Sequence, residues 1–161
     1  MTKTKFLRNA ALALAVASVP ALAQANRGAS AGNCAIQTEM LAELIQADAR
    51  VSGTVESEAV DTLTKFSAHL SNIVEAGMAE TYEKSAAFGY NKASVDRQME
   101  ANMMAIRAGF ITSTMEPNQV YMDHLLVANS CGEQAAQRGE LGAADVQKLS
   151  ERMNAVYMAI R

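Results

Sequence analysis

The chain of 161 residues is 50% hydrophobic, 5% aromatic and 19% charged, with no Trp, 2 Pro and 2 Cys. That supports one modest domain and argues against several. With 14 Lys plus Arg against 17 Asp plus Glu, a formal charge of -3, neither a basic nucleic-acid-binding surface nor a strongly acidic disordered tail is indicated.

The first 25 residues have three parts: a cationic start with Lys3, Lys5 and Arg8, an apolar run from Ala10 to Val19, and small residues after Pro20. This is the layout of a secretory signal peptide of the Sec type. The run is shorter than the roughly 20 residues that cross a bilayer core, so no stable membrane insertion is expected. Ala21-Leu22-Ala23 places the cut before Gln24, and Ala23-Gln24-Ala25 offers an alternative before Asn26. Loss of the three leader cations takes the formal charge from -3 to about -6. The expected destination is the bacterial periplasm or the medium. In such an oxidising compartment Cys34 and Cys131 are expected to form one intramolecular disulfide.

The domain boundaries read from the sequence are a leader over 1–23, a flexible polar segment over 24–33 and a single helical domain over 34–161. Ile36, Met40, Leu41, Leu44, Ile45 and Val51 recur at helical steps, predicting a first helix with Asn33 as N-cap and Gly53 near its end. A second helix is expected from about Ser57, with Val60, Leu63, Leu70, Ile73 and Val74 on its buried face. It runs to about Phe88, either as one helix bent near Gly77 or as two. Gly89-Tyr90-Asn91 signals a turn, and Ser94 suits the cap of a third helix carrying Val95, Met99, Met103, Ile106 and Phe110 on one face. Pro117 opens a fourth helix with Val120, Tyr121, His124, Leu125, Val127, Ala128 and Cys131 inward, Gly132 and Gly139 leaving its end open. Val146, Leu149, Met153, Val156 and Ile160 mark the last helix. No segment alternates as a strand does. The fold class is therefore all-α, an antiparallel bundle of four to five helices with one disulfide.

The sequence contains no GxSxG, HExxH, P-loop, CxxC or CxxCH pattern, so no catalytic residue is assigned and covalent haem is excluded. Methionine is the unusual feature, at 10 residues. The Met99–Met103 stripe reads first as core packing, because Val95 and Ile106 share its face and Met fills irregular gaps. Exposed Met would instead supply a plastic groove for varied partners. As an alternative, Met99, Met103 and His124 would supply thioether and imidazole ligands for copper. Acid pairs such as Glu80 with Glu83 read as solvated helix surface.

The expected function is an exported, non-enzymatic helical protein that binds a partner protein or an apolar ligand in a chaperone, adaptor or immunity-like role. It needs no cofactor and no nucleic acid. The heptad-like last helix suits a homodimer as readily as its own core.

Overall fold

The computed structural model describes residues 31–111 and 117–161, with side chains for 31–108 and 118–161. The leader and residues 24–30 lie outside the described part. Among the described residues five helices follow one another: α1 (31–47), α2 (Gly53–Ala87), α3 (Lys92–Ile111), α4 (Pro117–Gln137) and α5 (Ala143–Ile160). No strand occurs among the described residues. The fold is all-α.

α1 is the most deeply covered element. Ala31, Cys34, Ala35, Leu41, Ala42 and Ile45 belong to one buried cluster with Leu63, Phe66 and Leu70 of α2, Tyr121, Leu125 and Ala128 of α4, and Leu149, Met153 and Val156 of α5. Each fully buried Leu, Ile, Val or Met contributes about 1.5–3 kcal/mol relative to exposure. Thr38, the one polar residue in the middle of α1 without exposure, turns its hydroxyl back to the carbonyls of Cys34 at 2.8 Å and Ala35 at 3.0 Å. Its burial therefore leaves no donor unmet.

Cross-helix bonds fix the directions. The Ser67 hydroxyl donates to the Ala35 carbonyl, and the Cys34–Cys131 disulfide ties α1 to α4 near the same level. At the opposite end Arg50 binds Asp48, then reaches Asn118 of α4 at 2.8 Å and the Ile160 carbonyl of α5 at 3.3 Å. α1 thus runs antiparallel to both α2 and α4, and α5, joined to α4 by a short turn, runs antiparallel to α4. Arg152 of α5 pairs with Glu58 of α2 at 2.6 Å.

The helix ends differ from the sequence expectation in ways local chemistry explains. Residues 31–33 are already helical, so Asn33 lies inside α1 rather than capping it. α2 starts at Gly53 with Ser52 as N-cap, not near Ser57. It is a single helix through Gly77. Asn91, not Ser94, caps α3: its side-chain oxygen accepts the Ser94 N–H at 2.9 Å. α4 continues through Gly132 and stops where Gly139, at φ 73°, allows the Glu140 N–H to reach back to the Ala135 carbonyl at 2.9 Å.

α2 is much longer than its neighbours. Its residue His69 stands level with the α4–α5 turn, where its Nε2 lies 2.6 Å from the Glu140 carbonyl. Residues 70–87 therefore extend about 27 Å past that turn at 1.5 Å per residue. α3 folds back on this extension. No side chain from 71 to 87 or from 92 to 108 is buried. The methionine stripe of α3 is consequently not core, contrary to its expected packing role: Met99 is half-buried and Met103 is 44% exposed. Helical spacing reported the shared face correctly, but among the described residues α3 packs on α2, with Arg107 reaching Glu39 and Glu43 of α1.

Candidate functional site

Two hollows stand out among the described residues of the bundle surface. The first is an open groove of about 380 Å³ between α4 and α5, with Met122, Leu125, Met153 and Tyr157 among its lining. Helical steps explain the combination: Met122, Leu125 and Leu126 lie on one side of α4, and Met153 and Tyr157 are one turn apart on α5. Leu125 and Met153 are buried and form part of the core, whereas Leu126 on the rim is 61% exposed. Gln147 and Glu151, joined at 2.9 Å, supply a polar edge. Asn129 adds an unusual element, since its side-chain Oδ1 is shielded from solvent with no hydrogen-bond partner in the protein.

No protein-family model matches the chain, and neither a curated protein nor a solved structure matches it.

The second hollow, about 290 Å³, lies between α2 and the start of α5 and includes Lys65, His69, Asp145 and Lys148. Lys65 pairs with Asp61 at 2.8 Å, which holds the Asp61 carboxyl below its usual range. Its lining contains His69 with Thr62, but no Ser or Cys, and the Thr62 hydroxyl donates to the Glu58 carbonyl. The first groove has no histidine. Both cysteines are committed to the disulfide. Among the described residues no Ser, Thr or Cys of either hollow hydrogen-bonds a histidine side chain.

The sequence-selected residues fall in different places. Cys34 and Cys131 meet. His124 is 6% exposed on the inward face of α4, and burial pushes its imidazole pKa below 6.5 against a smaller opposing effect of Asp123. Met99 and Met103 lie on α3, which packs on α2. The copper alternative thus divides between the bundle interior and a solvent-facing helix. No group of three or more His, Cys, Asp or Glu side chains suited to a metal occurs among the described residues.

Tyr121 was legible only as an inward position. It is buried beside the Asp48–Arg50 corner, and desolvation, with a contribution from Asp48, pushes its phenol well above the ordinary range, Arg50 opposing. Its hydroxyl has no partner within the protein. The α4–α5 groove itself was missed, although the exposed neighbour of a buried Leu in Leu125-Leu126 was a signal available in the sequence. Met153 was expected on the inward stripe of the last helix, whereas Met122 counted only among the methionines.

Proposed function

We propose that this is an exported, non-enzymatic helical protein that holds an apolar segment of a partner protein in the groove between α4 and α5. The observation carrying the reading is the groove itself: an apolar floor containing two methionines, an exposed Leu126 at the rim and an acceptor on Asn129 that lacks a donor. Two antiparallel helices with such a channel offer the surface on which an amphipathic helix lays its apolar face. Methionine adapts its shape to unlike side chains, which favours a partner segment over one fixed shape. The groove is partly open to solvent, whereas small-molecule sites bury most of their ligand, which favours a peptide segment over a small apolar ligand. Export rests on the leader read in residues 1–23.

The test is a photo-reactive amino acid placed at Leu126 in the native host, with Leu126→Asp as the control variant. Conjugation to one discrete protein, with loss of the same complex in the Leu126→Asp protein, is the expected result. Complexes that survive Leu126→Asp unchanged would sink the reading. A retained small apolar molecule in native mass spectra would replace the partner segment by a ligand.

A further inference from the structure

We propose that the α2–α3 hairpin is a self-association surface, on which a second copy of this chain packs antiparallel to form a four-helix bundle from two hairpins. The inference is independent of the α4–α5 groove. It begins from an imbalance: residues 71–87 of α2, about 25 Å, and the whole described side-chain length of α3 contribute no buried residue, while Met78, Tyr82, Val95 and Met99 are half-buried on the hairpin. Two helices alone cannot enclose their shared apolar seam. Two such hairpins can.

The hairpin is also built rigidly. Gly89, at φ 84°, ends α2 by letting the Tyr90 N–H reach the Ser85 carbonyl at 3.1 Å and its own N–H reach Ala86. Below the turn the Tyr82 hydroxyl donates to Asp96 at 2.5 Å, Lys92 binds the same carboxylate at 2.9 Å, and the Lys92 ammonium lies 4.7 Å from the Tyr82 ring centre. This cluster sets the register, with Tyr82 level with Asp96.

From that register the exposed apolar residues fall at two ends. Phe88 and Tyr90, 82% and 62% exposed, stand at the turn, about 9–10 Å above the Tyr82–Asp96 level. Met103 and Met104, 44% and 61% exposed, lie about 10–12 Å below it on α3. A two-fold axis through the middle of the hairpin, at the Tyr82–Asp96 level, places the aromatic end of each copy on the methionine end of the other. That is the self-complementarity an isologous interface requires, and sulfur–aromatic contacts are favourable. The same axis brings Glu80 of one copy to the height of Lys84 of the second, and Glu100 to that of Lys92, about 3 and 6 Å from the axis level, so acids stand level with cations.

Area limits the second copy to a weak contact. Two helices of about 10 Å diameter overlapping along about 20 Å give on the order of 400 Å² per copy, or about 800 Å² in total. This falls among the small interfaces and corresponds to a weak, transient dimer.

The experiment is sedimentation velocity on the exported protein from about 1 to 500 μM, with a photo-reactive amino acid at Tyr90 in a mixture of unlabelled and ¹⁵N-labelled chains. The proposal expects a concentration-dependent dimer and mixed-isotope conjugates between position 90 and the tryptic peptide 98–107. Met103→Glu with Met104→Glu should weaken the dimer at least tenfold and leave the melting midpoint of the monomer unchanged, since both residues are exposed. Leu126→Asp should leave the dimer intact. A monomer at every concentration overturns the proposal. So does a dimer indifferent to the methionine variant, or conjugation at position 90 only to lipid or to another protein.

Discussion

Gly77 and Gly132 are both interior to helices, yet the same Gly→Ala change should act on them in opposite directions. A Cβ built at Gly77 meets nothing within 4 Å, so Ala there gains its helix propensity and the lowered unfolded-state entropy, about 0.8–1 kcal/mol. A Cβ at Gly132 would stand 2.8 Å from the Leu149 Cδ2 atom, closer than carbon atoms pack. Leu149 is buried, so its end cannot swing into solvent. Overpacking of this kind costs about 1–3 kcal/mol, against the same propensity gain of about 0.8–1 kcal/mol. Gly132→Ala should therefore be neutral to destabilising by about 2 kcal/mol, and the two variants should differ by about 1–3 kcal/mol. At about 3–5 °C per kcal/mol for a chain of this size, the melting midpoints should separate by roughly 3–15 °C. Far-UV circular dichroism during thermal and urea unfolding reads both quantities. Gly132→Ala combined with Leu149→Val should show non-additive coupling, because the smaller residue vacates the contact. If Gly132→Ala is as stabilising as Gly77→Ala, the close α4–α5 approach described above is wrong.

Reducing the Cys34–Cys131 bond, which closes 97 residues of sequence, should lower stability by a few kcal/mol, with about 4.7 kcal/mol as the chain-entropy ceiling; an unchanged urea midpoint would contradict it. His124 has a folded pKa below 6.5, so the unfolded chain binds its proton first as pH falls. Stability should decline through 6.5 and level off once pH passes the folded value, and His124→Gln should flatten that slope in urea titrations at successive pH values. Tyr121→Phe removes a buried hydroxyl without a protein partner and should be neutral or stabilising by about 1 kcal/mol, whereas a loss above that would reveal a hydrogen bond. Anaerobic Cu(I) titration against a weak chelator should show no competition, since Met103 is solvent-facing and His124 is enclosed; tight binding would restore the copper reading.

Much of the bundle was legible because burial writes itself into spacing. Leu63 and Leu70 in α2, Leu149, Met153, Val156 and Ile160 in α5, and Leu125 with Cys131 in α4 are buried as their periodicity indicates. The α5 stripe faces this protein's own core and is not available to a dimer. Periodicity failed at Val95, Met99 and Met103 for a physical reason: an apolar face states that a helix has a partner, not how many surround it. Capping was misread where two candidates stood close together. Asn91 and Ser94 are both good caps, and the winner depends on where Gly89 releases the preceding helix. The α4–α5 groove depends on how far two helices separate at their outer edge, a distance set jointly by Gly132, Leu149, Met122 and Tyr157, and no single segment encodes it.

The disulfide has a mechanical consequence. It joins the first helix directly to the fourth, so a pull applied to the two ends of the oxidised domain enters the first turn of α1, crosses the sulfur bridge at Cys34, and passes through the last turns of α4 and on through α5. The whole of α2 and α3, with most of α1 and α4, hangs outside that line of tension. On reduction, about 320–350 Å of additional contour enters the path, at 3.3–3.6 Å for each of the 97 residues in the loop. The bridge thus divides the chain into a stretch that bears load between its ends and a closed ring that is carried along without being drawn out.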